Sequence, residues 1–390
     1  METHSLNDYD YDLPKERIAQ FPLEDRTAAR LLVCDRRTGT LTDSHIRDLP
    51  RLLRPGDTLV LNDSRVIPAR ITGHREQTGG RWEGLFLGIV DHDAELETAR
   101  NEESETTGND TRYSEEQISS ILRTESGPIW RLLCKTRGAI RPGEWVVVDP
   151  PRTTEPRIRL RMVHQLNDGA WLVTPAGYAQ TAQESFELLD RIGRVPLPPY
   201  IRHGEAGERD VQTYQTVYAK EPGSVAAPTA GLHFTSELLA EIRQNGVHIE
   251  YVTLHVGLGT FRPITTDRIE DHTMHTEWAR ITPDVAERLE RRRVNGGRVI
   301  AVGTTAMRTL ETAAQGGTLR PFLGETNLFI RPPYTFHAVD ATLTNFHFPK
   351  TTLLVLVRTF GGDELIRQAY SHAIATGYRF YSYGDAMLIV

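Results

Sequence analysis

Two cysteines, five methionines and no long apolar run are what this 390-residue chain conspicuously offers little of. Cys34 and Cys134 cannot build a zinc cluster by themselves, and each sits in an apolar stretch that reads as a buried strand position. Reduced core thiols are the ordinary reading, with a disulfide between them left open. No stretch approaches the roughly 18 apolar residues of a membrane span. The first residues, 1–13, are acidic and polar rather than signal-like. The expectation is therefore a cytoplasmic protein with no membrane partner and no obligate protein partner. Basic charge is also in short supply, with a formal net charge of −7. One segment accounts for this: residues 91–127 carry 11 acidic and 3 basic side chains, leaving 42 basic and 41 acidic residues elsewhere. The body of the chain is near neutral, so a basic face for nucleic acid is not excluded.

At 390 residues with 25% charged and 39% hydrophobic residues, two globular domains are expected. The acidic segment, rich in Glu, Thr, Asn and Ser, reads as a solvated, disordered loop. Around it lie short β-like runs at 82–90, 129–136, 145–149, 157–164 and 170–174. Ile158, Leu160 and Met162 alternate with Arg157, Arg159 and Arg161, so one strand face is apolar and the other basic. That face suits either solvent or a nucleic-acid backbone. Elsewhere apolar strands (247–254, 298–303, 326–330, 353–359) alternate with helical patterns (184–192, 236–244, 283–293, 305–315). The expected fold class is α/β. A discontinuous mixed or parallel sheet domain covered by helices spans 1–69 and 176–390, and a small antiparallel β-barrel domain is inserted at 70–175.

The run from Ser224 to Phe234, Ser-Val-Ala-Ala-Pro-Thr-Ala-Gly-Leu-His-Phe, joins small side chains to one hydroxyl and one imidazole just ahead of a helix capped by Thr235. Such a stretch is too small to fill a core but lets a ligand approach the backbone, and the helix start would favour an anion or carbonyl. An ordinary tight loop is the alternative. His272-x-x-His275-x-Glu277 could hold a metal, yet contacts to a purine or ribose fit better, and no metal is expected. Gly257-Leu258-Gly259-Thr260 after His255 reads as a turn facing a ligand. Gly303-Thr304-Thr305 opens a helix that Thr305 caps. Arg308 and Glu311, three apart, form either a surface ion pair or a substrate contact. Asn345-Phe346-His347-Phe348-Pro349 reads as an exposed run suited to a planar base or as a loop packed on the core, ahead of the 353–359 strand. Residues 378–385 read as mostly buried strand. Asp385 within them needs a partner, which leaves a salt bridge and a substrate role both open. Asn62-Asp63-Ser64-Arg65 ends a strand at the domain junction, suiting a cleft there or simply fixing the junction.

The same segments carry a resemblance. The 224–234 run, Asp8–Pro14, Asn62–Arg70, Pro196–Ile201, Thr253–Phe261, His272–Glu277, Gly303–Arg308, Thr344–His347 and Tyr378–Met387 resemble, in order, the motifs of the S-adenosylmethionine:tRNA ribosyltransferase-isomerases of queuosine biosynthesis. The match spans nearly the whole chain, and the acidic 91–127 stretch departs from it. The resemblance implies the same domain arrangement and a transferase and isomerase using S-adenosylmethionine as ribosyl donor. The acceptor would be tRNA carrying 7-aminomethyl-7-deazaguanine at the wobble position; the products would be epoxyqueuosine, adenine and methionine. The expected acid–base set is His233, His255, His272, His275 and Glu277. Ser224, Ala227, Thr229, Gly231 and Thr305 are expected to bind the donor. Asp63, Arg65, Arg308, Asn345, His347 and Asp385 are expected to orient ribose and deazaguanine. Two other readings are an S-adenosylmethionine-dependent RNA methyltransferase, whose Gly-rich loop and acidic partner are not evident, and a non-catalytic RNA-binding protein built on the Arg row.

Overall fold

The computed structural model describes residues 4–90, 127–152, 154–175, 177–257 and 263–390. Nearly all of the acidic segment, and positions 258–260 of the glycine turn, lie outside them. Two compact units are formed, one from residues 1–66 and 197–390 and one from 67–196.

The first unit is built on a nine-stranded mixed sheet. Its strand order is Phe322–Thr326, Glu277–Ile281, His248–Leu254, Thr58–Asn62, Val299–Val302, Ala341–Asn345, Ala386–Ile389, Arg30–Asp35 and Thr40–His45. The four central strands, His248–Leu254 to Ala341–Asn345, run parallel, and antiparallel pairs finish both sides. Thr58–Asn62, Val299–Val302 and Ala341–Asn345 are buried at every position, as expected of parallel strands covered on both faces. Alternate residues serve opposite sides. Val60, Val252 and Ala301 pack with Leu289, Met307, Leu310 and Val355 of the helices Pro283–Val294, Gly303–Ala313 and Thr352–Gly361. Leu59, Leu61, Ile300 and Val302 pack with Leu238, Leu239 and Ile242 of the helix Ser236–Gln244. Thr235 caps that helix, its side chain accepting the Leu238 N–H.

Three expectations for this unit are corrected. Residues 353–359 are helical, because a fully buried apolar run carries no period to separate helix from strand; Thr351 caps the helix by accepting the Leu354 N–H. The edge strand is Phe322–Thr326, so 326–330 is its exit rather than a strand. Most of 378–385 is loop, with Tyr381 at φ 72°, and the terminal strand begins at Ala386.

The second unit holds a closed antiparallel barrel of six strands. Around the ring these are Ala170–Thr174, Trp130–Thr136, Arg81–Ile89, Arg70–Arg75, Trp145–Val148 and Arg159–Gln165. Arg70–Arg75 went unread in the sequence because its polar residues and Gly73 hide the alternation. The helix Ala182–Ile192 belongs to this unit, where Ser185 accepts a hydrogen bond from the Trp130 indole at 2.9 Å. Ile158, Leu160 and Met162 are fully buried, while Arg157, Arg159 and Arg161 are exposed on the opposite strand face. Arg157 and Arg159 pair with Asp149 and Glu76, and the Arg159 guanidinium lies 4.8 Å from the Trp145 ring centre. Cys34 and Cys134 are free thiols that burial pushes up to about 12. Among the described residues no helix is long and apolar enough to cross a membrane.

Candidate functional site

A pocket of about 620 Å³, open mouth included, lies where the parallel strands end at their carboxyl termini. Its wall comes from residues 227–230, from 303–305 where the strand Val299–Val302 gives way to helix, and from 344–348 after the strand Ala341–Asn345. Val256, Tyr200, Thr351, Leu353 and residues 381–382 complete it. Open α/β sheets place ligands at this end because loops and helix starts converge there while the sheet stays rigid. Gly303 has φ 88°, a conformation side chains resist, and lets the chain turn from strand into helix at the pocket floor. The helix it opens has no side-chain cap.

Asn345 organises the pocket's polar side. Its amide nitrogen faces the carbonyls of Tyr381 and Asp385 at 3.2 and 3.4 Å, which fixes the amide's orientation. Its oxygen accepts from Thr229 Oγ1 at 3.0 Å. The same nitrogen lies 3.3 Å from His233 Nε2, so that ring nitrogen carries the lone pair. Burial, with help from the charges of Arg379 and Arg26, holds the His233 imidazole down at about 3. His347 lines the pocket with Nε2 2.9 Å from Thr344 Oγ1, and burial lowers it to about 3 as well. Both imidazoles are neutral at physiological pH.

Five expected site residues line this pocket: Ala227, Thr229, Thr305, Asn345 and His347. Thr305 does so from inside the helix, not as its cap, and its hydroxyl accepts from Asn62 Nδ2 at 3.2 Å. Asn345, Phe346 and His347 are buried rather than exposed, because they cross the top of the sheet and join its core. The 224–234 run also packs: the small Ala230 and the large Phe234 join the cluster of Leu238 and Ile242, so part of the run does fill core. Gly231 is required by close approach, since a Cβ there would meet Tyr218 Oη at 2.0 Å. Ser224 Oγ accepts the Val256 N–H at 2.8 Å and holds two wall segments together. Arg308 and Glu311 are not a surface pair, because their helix is buried almost all round. Arg308 bonds to Glu277, whose other oxygen accepts the Gly257 N–H at 2.9 Å. Glu311 accepts the N–H groups of His337, Ala338 and Val339.

The remaining expected residues lie off the wall. His255 stacks on Trp278 with ring centres 5.0 Å apart, and its Nδ1 is 2.9 Å from Ser64 Oγ. Burial lowers it to about 4 against the pull of Glu221. Asp63, raised by burial, accepts from Thr253 Oγ1 at 2.7 Å. Arg65 is half-buried on the short strand Ser64–Val66. His272 meets the Phe329 ring edge-on, and His275 is exposed. Asp385 accepts the N–H groups of Arg30 and Arg379, which gives its buried carboxylate a structural partner set. Among the described residues no His, Cys, Asp or Glu cluster is arranged to hold a metal ion. Sequence reasoning misses the aromatic side of the pocket, formed by Tyr200, Phe348 and Tyr381. The signal available was that Tyr200 and Tyr381 lie within the motif segments Pro196–Ile201 and Tyr378–Met387, and that Phe348 directly follows Thr344–His347.

Comparison with known proteins agrees with this architecture. The family model described as "Queuosine biosynthesis protein" matches residues 6–389. The S-adenosylmethionine:tRNA ribosyltransferase-isomerase of Symbiobacterium thermophilum is 45% identical over 395 residues, covering 99% of each chain. The protein of the same name from Desulfitobacterium hafniense is 44% identical over 386 residues, again covering 99% of both. Among solved structures, the S-adenosylmethionine tRNA ribosyltransferase of Thermotoga maritima aligns with TM-score 0.50 and 30% identity, covering 98% of this chain and 100% of its own. A likeness this extensive, over a mixed sheet with an inserted barrel, places the chain in the queuosine biosynthesis protein family.

Proposed function

We propose that this chain is an S-adenosylmethionine:tRNA ribosyltransferase-isomerase. It moves the ribosyl part of S-adenosylmethionine onto the aminomethyl group of 7-aminomethyl-7-deazaguanine at the tRNA wobble position. Rearrangement of the sugar to an epoxycyclopentanediol gives epoxyqueuosine, with adenine and methionine released. The observation that carries the reading is the pocket itself. Segments around residues 229, 304, 345 and 381, far apart in the chain and each within a family motif, meet in one cavity.

The reaction needs a base for the ribose carbon next to sulfur, which the sulfonium acidifies. It also needs a hydrogen-bond donor for departing adenine and a neutral amine as nucleophile. His347 is the neutral imidazole on the wall and takes the base's role; Thr229 and Asn345, bonded to each other, orient the sugar or the purine edge. The uncapped first turn at 303–305 offers N–H groups to the methionyl carboxylate. His233 acts one bond behind, setting the Asn345 amide. His255, His272, His275 and Glu277 shape the adjoining strand ends. The site operates in the cytoplasm, where undermodified tRNA and the donor are both present.

Incubation with labelled S-adenosylmethionine and tRNA lacking the modification tests this. Free adenine, lost on His347→Ala with donor binding retained, supports the assignment. S-adenosylhomocysteine as product would establish a methyltransferase, and binding without turnover an RNA-binding protein.

A further inference from the structure

The pocket has an unusual charge inventory for a site that receives a cation. Among the described residues lining it there is no Asp, Glu, Lys or Arg, and its imidazole is neutral. The carboxylates bonded to neighbouring segments are already engaged. Asp385 is taken by two backbone N–H groups and the Arg379 guanidinium, Glu277 by Arg308 and Gly257. A positively charged ligand entering here meets no free counter-ion on the described wall.

It does meet aromatic rings. Tyr200, Phe348 and Tyr381 all line the pocket. Phe348 and Tyr381 overlap with ring centres 3.2 Å apart and cover each other's facing sides. Tyr200 is centred 5.0 Å from Phe348 and 5.1 Å from Tyr381, so the outer faces of this cluster are the ones a ligand can meet. The Tyr200 hydroxyl is tied to Ser382 Oγ at 2.8 Å, which steadies the ring. Burial raises the hydroxyls of both tyrosines, so neither becomes a phenolate that could pair with a cation as an ion. What remains is the negative electrostatic potential of the ring faces, which attracts cations most strongly where water is excluded.

We infer that the Tyr200–Phe348–Tyr381 wall is the sulfonium subsite, selecting the charged donor over its neutral thioether through ring faces in place of a carboxylate. This rests on the reading above that S-adenosylmethionine binds in this pocket. It adds a physical basis for discrimination: a ring that only stacks on adenine would hold S-adenosylmethionine and S-adenosylhomocysteine equally, because both carry the same purine. The arrangement also suits the chemistry. A carboxylate beside sulfur would set a full negative charge against the carbanion that forms on the neighbouring carbon, whereas the weaker potential of a ring face opposes it less.

The test is equilibrium binding of both ligands to the full-length protein and four variants. The wild type is expected to prefer S-adenosylmethionine by about tenfold, the range of one desolvated cation–π contact. Tyr200→Leu and Phe348→Leu are expected to weaken S-adenosylmethionine and bring the two ligands within about twofold. Tyr200→Phe, which keeps the ring and loses only the hydroxyl, is expected to retain the preference. Circular dichroism confirms that each variant is folded, and Phe348→Tyr serves as the ring-preserving control for the second position. No preference in the wild type, equal losses for both ligands in the leucine variants, or loss of the preference in the ring-preserving ones overturns the inference and leaves the pocket assignment standing. Leucine variants that bind both ligands as the wild type does would instead remove the donor from this pocket altogether.

Discussion

His233 and His347 make the sheet unit acid-sensitive in a window that can be calculated. Each imidazole is held at about 3 in the folded protein, chiefly by burial, against about 6.5 in an unfolded chain. Between those values the unfolded chain binds a proton that the folded one refuses. Stability therefore rises with pH across the window and is lost as the solution is acidified. From pH 7.5 to 5.0 each histidine costs about 2 kcal/mol, so the pair costs about 4 kcal/mol, a large part of a typical folding free energy of about 5–15 kcal/mol. His255, less buried and held at about 4, pushes in the same direction. Urea unfolding of the wild type and of His347→Gln at both pH values reads the effect. The substitution has its own cost, but that cost does not depend on pH and drops out of the comparison. The raised carboxyl of Asp63, which works in the opposite direction, drops out in the same way. The variant is expected to lose about 2 kcal/mol less than the wild type on acidification. Equal losses in the two proteins would mean that His347 titrates normally, and the neutral imidazole on the pocket wall would go with it.

Three further outcomes are expected. Glu277→Gln leaves the Arg308 charge buried without its partner and should destabilise by about 3–5 kcal/mol, whereas Glu277→Leu with Arg308→Met should recover much of this in thermal or urea unfolding. Gly231→Ala drives a methyl group into the Tyr218 hydroxyl and should cost more than about 2 kcal/mol; part should return in a Tyr218→Phe background, and an unchanged cost would discount the overlap. If the Arg row touches tRNA phosphates, Arg157→Ala, Arg159→Ala and Arg161→Ala together should weaken tRNA binding, leave S-adenosylmethionine affinity unchanged, and flatten the logarithmic salt dependence by about one to three. An unaltered salt slope would make that face merely solvated.

The helix Ser236–Gln244 was legible from its Thr235 cap and its Leu238, Leu239 and Ile242 stripe, because caps and stripes are local signals. The Arg row of the barrel was legible for the same reason, since a strand's two faces separate within five residues. Residues 353–359 were not, because burial on every side erases periodicity and leaves only length and the Thr351 cap to speak for helix. Arg308 and Glu311 show the limit of spacing. Three apart on a helix they should be neighbours, but each is claimed by groups more than ten residues away: Glu277 for one and the 337–339 backbone for the other. The motif segments announced a site, and several of their residues do line the pocket. Its aromatic wall stayed hidden because Tyr200, Phe348 and Tyr381 become neighbours only through the tertiary fold.

The pairing of Thr58–Asn62 with both His248–Leu254 and Val299–Val302 has a consequence for biosynthesis. A ribosome adding about 5–20 residues per second needs tens of seconds to produce those partners after the strand itself emerges. Throughout that interval a β segment built around Leu59, Val60 and Leu61, buried at every position in the folded protein, waits with both edges bare, while the barrel, encoded contiguously, can already close behind it. Newborn copies of this chain should therefore lean on chaperones at their amino-terminal end, and a slowed ribosome should lengthen that dependence.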